Sequence, residues 1–335
     1  MAVRLKDVAL LAGVSVKTVS NVINGYPHVS VATRSRVEEA VRTLDYRPNL
    51  QARSLRTGRT GVIAFGVPRL DEAYFAELSA HVIEAADRLG LTVLVEQTNG
   101  DRQRELEVLS GIRPGVVDGV LLSPLSLGLE DFEQTTMRTP VILLGEQVSD
   151  TSLDHLQIDN VQAAHQLTHG LLASGRHRIA VVGTPTDRHV SAARLRLAGY
   201  QLAHEHDDVS WNERLWMRVA NYRRADGAAA VFQLINAGLP FDAIFCFNDL
   251  LALGALAALR QHGIRVPLDV AVAGFDDIDE GSYSVPTLTT VAPDKAQLAI
   301  RAVHTLQARL TGGEQVPDPN VPFTVVQRDS TGWDC

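Results

Sequence analysis

The chain has 335 residues, 45% of them hydrophobic, with 31 Lys/Arg against 39 Asp/Glu and a formal net charge of −8. That length exceeds one small core and that composition excludes a disordered chain, so two or three folded domains are expected. No apolar run approaches the ~20 residues of a membrane span, and Lys6 and Asp7 interrupt any signal-like apolar segment. Of the two cysteines, Cys246 sits in the apolar run AIFCF and Cys335 is the last residue, so a disulfide framework is not expected. The reading is a cytoplasmic protein with no membrane partner.

The charge is unevenly distributed. Residues 1–60 hold ten Lys/Arg and four acids, a local charge of +6, which leaves −14 for the remaining 275 residues. A basic head on an acidic body points to nucleic acid at the head alone. Leu5, Val8, Ala9 and Ala12 recur at helical spacing, so residues 5–12 are expected to form a short amphipathic helix. Gly13 supplies a turn and Ser15 an N-cap. Val16, Val19, Val22 and Ile23 carry a second helix until Asn24-Gly25 ends it with turn chemistry. Ser30 caps a third helix over roughly 31–44, with Val37, Ala40, Val41 and Leu44 on one face. Two helices joined by a short glycine turn make a helix-turn-helix. The polar side chains of Ser15, Lys17, Thr18, Ser20 and Asn21 fall where the second helix would read a major groove.

The run LKDVALLAGVSVKTVSNVINGYPHVS (5–30) resembles the N-terminal signature of the LacI/GalR (lactose-repressor/galactose-repressor) family of bacterial transcription regulators, and the likeness is dense over residues 5–57. The resemblance implies base contacts from Val16, Lys17 and Asn21, and phosphate contacts from Ser15, Thr18, Ser20, Asn24 and His28. The chain departs from the family pattern at Asn21, where many members carry arginine. Arginine favours guanine and asparagine favours adenine, so the operators of relatives are an unsafe guide to this half-site.

Residues 46–70 contain no acid, and YRPNLQARSLRTGRTG within them carries Arg47, Arg53, Arg56 and Arg59. Asn49 can cap a helix of about eight residues ending near Thr57-Gly58, and a helix that short is marginal in water. A basic, marginal helix beside a DNA-binding head suggests folding coupled to binding. The resemblance implies a hinge helix that pairs with its partner's in the minor groove. Arg53 is taken as a further DNA-binding residue there, and Leu55 is the apolar wedge at the central base step.

From residue 61 apolar runs bounded by turns recur at 61–68, 91–97, 117–124 and 140–146, then at 178–185, 215–221, 243–249 and 270–277. Helical segments are expected near 73–89, 101–112, 160–174, 190–206, 224–237, 249–262 and 293–311. Strands apolar throughout and alternating with helices indicate parallel sheets covered on both faces, and two sets imply two doubly wound lobes. The fold class is therefore an all-α helix-turn-helix head plus an α/β two-lobed body. That body resembles the periplasmic-binding-protein-like (type I) core of the same family, through FNDLLALGAL (247–256), DVAVAGFDD (269–277) and PTLTTV (286–291). The expected domains are 1–46 for the head, 47–59 for the linker and 60–330 for the effector-binding and dimerisation body. The N-lobe is set at about 60–158 and 290–320, and the C-lobe at about 159–289 and 321–330.

Ligands of such sheets bind beyond the carboxyl ends of the strands. Ser123, Asn248 and Asp276 end expected strand runs, Tyr222 follows one, Tyr74 and Phe75 open the helix after the first run, and Arg194 lies in the helix after RIAVVGTP. A carboxylate that accepts from adjacent hydroxyls, an arginine that donates to oxygens and aromatic faces for stacking suit a small polar ligand. The resemblance implies effector contacts at Tyr74, Phe75, Arg194, Tyr222 and Asp276, with Asn248 and Asp159 used less uniformly. Asp249 is read as the N-cap of the helix that follows. His165 and His169 have a spacing that can bind metal, but nothing nearby in sequence completes a site; HEHDD (204–208) reads as a solvated helix end. No metal and no cofactor are expected.

The function expected is a dimeric repressor released from a near-palindromic double-stranded DNA operator when a small sugar-type effector fills the cleft. The alternatives are a repressor needing a purine-type corepressor, a catabolite-control regulator and, remotely, a solute-binding protein. An enzyme is not expected, because no G-x-S-x-G, Walker A or H-E-x-x-H occurs. The residues after FTVVQRDST carry no leucine heptads, so a homodimer through the body is expected rather than a tetramer.

Overall fold

The computed structural model describes residues 3–23, 26–46, 58–112, 115–135, 137, 139–145, 153–184, 192–313 and 318–332. The expectations for Asn24 and for the linker helix with Arg53 and Leu55 lie outside the described residues. The chain divides into two compact units, Met1–Gly61 and Val62–Cys335.

The first unit holds helices α1 (Leu5–Ala12), α2 (Val16–Ile23) and α3 (Val31–Thr43). Gly13 ends α1 at φ 63°, a left-handed conformation that favours glycine. Ser15 Oγ then accepts from Thr18 N at 3.0 Å, and Ser30 caps α3 by accepting from Thr33 N. Val8, Ala9 and Ala12 of α1, Val19 and Val22 of α2, and Val37 and Ala40 of α3 form the core of this unit. A cluster that small leaves little margin for losing any one methyl group.

The second unit contains two sheets. In the first, strands β1 (Val62–Val67), β2 (Thr92–Gln97), β3 (Gly119–Leu122), β4 (Val141–Leu144) and β5 (Asp154–Leu156) lie parallel in the order β2-β1-β3-β4-β5. Between them run α4 (Ala73–Arg88), α5 (Arg102–Leu109) and α6 (Leu129–Gln134). The second sheet holds β6 (Ile179–Thr184), β7 (Trp216–Arg218), β8 (Ala243–Cys246), β9 (Ala271–Phe275), β10 (Thr289–Pro293) and β11 (Phe323–Val326), ordered β11-β10-β9-β8-β6-β7. Only β11 runs antiparallel to its neighbour. Its helices are α7 (Asn160–Ala173), α8 (Ala192–His206), α9 (Arg224–Asn236), α10 (Asp249–Gln261) and the short α11 (Asp279–Ser282); α12 (Lys295–Leu310) returns to pack on α4 of the first lobe. The central strands β3, β4, β6, β8 and β9 are buried along their whole length, as apolar strands covered on both faces must be. Among the described residues no helix is long and apolar enough to cross a membrane.

Three strands were not anticipated as such: β5, β10 and β11. The expected lobe boundary at 290 falls inside β10, which pairs with β9 in the second sheet, so the chain returns to the first lobe only at Asp294. The three crossings between lobes lie side by side. Gln157 N donates to Pro319 O at 2.9 Å, Val321 N to Gln157 O at 2.7 Å, and Asp294 N to Pro322 O at 3.0 Å.

Two helix pairs of the second lobe touch backbone to backbone through glycine. A Cβ on Gly199 of α8 would stand 2.2 Å from the Val161 carbonyl of α7, and one on Gly227 of α9 would stand 2.1 Å from the Leu251 carbonyl of α10. Gly227→Ala gains helix propensity but must separate α9 from α10. Urea unfolding should show a net loss of stability of about 1–3 kcal/mol; an unchanged or raised midpoint would mean the pair is loosely packed.

Candidate functional site

Two surfaces have the chemistry of sites, one on each unit. On the first, α2 turns Val19 and Val22 into the core, which leaves Ser15, Val16 and Lys17 exposed and Thr18, Ser20 and Asn21 half-buried at its rim. Ser15 and Thr18 hydroxyls lie 2.9 Å apart at the start of the helix. His28 is exposed in the following turn, packed edge-on to Tyr26, and Arg34 Nη2 fixes that turn by donating to Tyr26 O at 2.9 Å. The result is one helix whose outer face offers hydroxyl, amide and ammonium groups with a single exposed valine. These groups match base edges and phosphate oxygens.

On the second unit a cleft of about 1080 Å³ opens between the sheets, at the carboxyl ends of β1, β3, β6, β8 and β9. Arg196 is its best-anchored cation. Its Nε donates to Asn160 Oδ1 at 2.8 Å, Nη1 donates to the Phe247 carbonyl, Nη2 stands 3.8 Å from Asp276 Oδ1, and the guanidinium lies 3.5 Å from the centre of the Phe275 ring. Both Arg196 and Asp276 keep 13% side-chain exposure, enough to meet a ligand from a mostly desolvated position. Asp276 follows β9 at φ 111°. Its backbone carbonyl and that of Asp277 accept from Lys295 Nζ at 2.7 and 2.8 Å, and the same ammonium reaches Glu77 Oε2 of α4 at 2.8 Å. Glu77 Oε1 accepts from Asp279 N at 3.0 Å. Glu77 and Lys295, on the first-lobe helices α4 and α12, are thereby tied to Asp279 and to the Asp276 and Asp277 carbonyls of the second lobe.

The aromatic faces come from both lobes. Tyr74 and Phe75 pack edge to face at 5.2 Å at the start of α4, and Tyr222 and Phe247 line the opposite wall. Tyr222 sits at φ 54° and donates its hydroxyl to Gly183 O at 2.6 Å.

Burial pushes the Asp276 carboxyl up to about 7, against the lowering pull of Arg196 and Lys295. Behind it Asp249, fully enclosed, is pushed well above the usual carboxylate range by burial and by the charge of Asp276, although Thr290 Oγ1 and Ile278 N donate to it at 2.7 and 3.0 Å.

Residues 4–49 match the family of bacterial regulatory proteins named after lacI, and residues 168–331 match the periplasmic binding protein-like domain. The HTH-type transcriptional repressor PurR of Aliivibrio fischeri (strain MJ11) is 32% identical over 310 residues, 91% of each chain. The ribose operon repressor of Escherichia coli (strain K12) is 32% identical over 309 residues, 92% of this chain and 93% of the relative. The chain belongs to the LacI family. Its structure resembles that of the lac repressor dimer bound to operator and the anti-inducer ONPF, with a TM-score of 0.83 and 28% identity over 99% of each chain. It is accordingly a DNA-binding transcriptional repressor with a LacI head and a periplasmic-binding-protein-like body, and not an enzyme.

Of the residues expected at the cleft of this LacI-family body, Tyr74, Phe75, Ser123, Tyr222, Asn248 and Asp276 line it. Asn248 also serves the fold, since it caps α10 by accepting from Leu251 N at 2.9 Å and donates to Tyr222 O at 3.1 Å. Three expectations are corrected. Arg194 is exposed on α8 and does not line the cleft; Arg196 does. The buried stripe of α8 is Gly199, Tyr200 and Ala203, and counting back three or four residues from the first two reaches 196 rather than 194. Asp159 is exposed and absent from the lining, because its carboxylate caps α7 by accepting from Gln162 N at 2.9 Å. Asp249 is likewise one position inside the helix that Asn248 caps. Glu105 escaped the sequence reading. Fully buried on α5, it accepts from Leu125 N and Ser126 N at 2.8 and 2.9 Å and so shapes the loop on one side of the cleft.

The raised Asp276 value has a sign that can be checked. An unfolded aspartate titrates near 3.9. With the folded value higher, the neutral form favours folding: its contribution is whole below about pH 4 and is lost as pH rises through about 7. The stability of Asp276→Asn relative to the parent should therefore climb between about pH 4 and about pH 7 and stay level above. Urea titrations of the two full-length proteins across that range give the difference, and a flat difference would leave Asp276 with an ordinary carboxylate.

Proposed function

We propose that this LacI-family repressor acts in the cytoplasm as a homodimer on a near-palindromic operator, and that a small sugar-type effector in the interlobe cleft releases it. The observation that carries the effector class is the pairing of Arg196 and Asp276 at 3.8 Å between aromatic side chains of both lobes. A carboxylate accepts from vicinal hydroxyls, a guanidinium donates to ring and hydroxyl oxygens, and aromatic faces take the apolar face of a pyranose or furanose. The likeness to a ribose operon repressor supports the same class. On the DNA side, Val16, Lys17 and Asn21 read base edges, and Ser15, Thr18, Ser20, Asn24 and His28 hold phosphates. Arg53 and Leu55 act in the minor groove. Asn21 directs this head toward adenine at its position.

Ligand-free protein incubated with fragments of its own genome should retain a near-palindrome upstream of sugar-transport or glycosidase genes. Retention should fall steeply as salt rises, because phosphate contacts release counterions. Absence of any enriched sequence would overturn the inducer reading and favour one that requires a corepressor. The sugar implied by the recovered genes should release the parent from the recovered operator. Asp276→Ala should bind that operator as well as the parent does but lose the response to the sugar. A variant that still responds, with unchanged ligand affinity, would remove Asp276 from the effector site.

A further inference from the structure

We propose that the surface where α7 meets the end of α8 is a binding site for a divalent transition-metal ion of the zinc type, held by His169, His206 and Asp207 with His165 beside them. These residues lie outside the cleft lining and outside the head. The fold brings them together from two separate stretches. His165 and His169 stand one turn apart on α7, and His206 and Asp207 come from the HEHDD run that ends α8.

The geometry is close to that of a bound ion. One ligand atom from each of His169, His206 and Asp207 lies within 4.8 Å of the other two. His169 Nδ1 is hydrogen-bonded to the Asp207 carboxylate, 3.0 Å from Oδ1 and 2.7 Å from Oδ2, and Asp207 Oδ1 stands 3.3 Å from His206 Nδ1; an ion takes the place of that hydrogen bond. Tetrahedral bonds of about 2.0–2.1 Å place neighbouring ligand atoms about 3.3 Å apart. The His165 ring is 6.2 Å from that of His169 and 5.6 Å from that of His206, and the last two are 5.6 Å apart. Imidazoles sharing one zinc have centroids about 5 Å apart, so small side-chain rotations close the set. The His169 and His206 side chains are 47% and 63% exposed, free to make them.

The scaffold beneath is rigid. Gly199 lets the backbones of α7 and α8 touch, which fixes the two helices relative to each other. Imidazole nitrogen with one carboxylate selects zinc, nickel, cobalt or copper over magnesium and calcium, which prefer all-oxygen sites. Cys246 is buried in the core and offers no competing thiolate there. An ion here clamps α7 to α8, the same two helices that join through Arg196 and Asn160 at the cleft.

The test is calorimetric titration of chelator-treated full-length protein with zinc chloride, and separately with magnesium chloride. The parent should take up one zinc per chain with micromolar or tighter affinity, give no saturable heat with magnesium, and melt at a higher temperature with zinc. The double variant His169→Ala/His206→Ala should lose at least about tenfold in zinc affinity and the zinc-dependent rise in melting temperature. His304→Ala, an exposed histidine on α12, should lose neither. Metal-free melting at the parental temperature confirms that the double variant folds; the single variant His206→Ala serves otherwise. Absence of saturable zinc binding, equal zinc affinity in parent and variants, or equal binding of magnesium would overturn the proposal.

Discussion

The three adjacent crossings between the lobes are the constraint on which the rest of the body depends. Gln157, Asp294 and the segment 319–322 are tied to one another by backbone hydrogen bonds; one buried cluster beside them takes residues from both lobes, and each lobe keeps a further cluster of its own. Each sheet completes its own pairing, so the lobes can change their mutual angle at these three strands without breaking a ladder. A ligand in the cleft can shift that angle only by the difference in its affinity for the two arrangements. In a repressor, any such shift that weakens DNA binding must weaken ligand binding to the DNA-bound protein by the same factor. The ties from Glu77 to Asp279 N and from Lys295 to the Asp276 and Asp277 carbonyls bear on the same equilibrium, because they cross from one lobe to the other close to the cleft.

The cleft places charge where the fold makes charge costly. Asp249 has no exposed surface and Asp276 little, yet both carboxyls face the same region behind β9. Arg196 and Lys295 keep Asp276 tractable, and Gly274 makes room for the Asp249 carboxyl: a Cβ there would stand 2.0 Å from Asp249 Oδ1. A group balanced near neutrality can accept from a hydroxyl when ionised and donate when protonated. A second anion in the cleft would raise the Asp276 value further.

Much of this was legible beforehand, for reasons that differ by element. The head helices matched their expected spans because caps, a glycine turn and a 3.6-residue apolar period all agreed. The buried strands were readable because parallel sheets make them apolar throughout. β10 and β11 were not read as strands, since Thr289, Thr290 and Thr324 interrupt their apolar character and their pairing is long-range. The expectation of Arg194 lacked a helical phase, and Gly199-Tyr200 supply one that points to Arg196. Glu105 left no local signal, because the loop it holds lies twenty residues farther along the chain.

The histidines show a different limit. Spacing placed His165 and His169 on one face, but the residues beside them belong to a run about forty positions away that reads as a solvated helix end. No periodicity links the two stretches; the contact exists because Gly199 lets α8 lie directly on α7. The same contact sets Arg196 against Asn160. A side chain at position 199 would have to separate the helices by more than an ångström, and both the cleft arginine and the histidine cluster would move with them. One glycine therefore conditions two distinct chemical surfaces, which is why neither could be completed from local sequence.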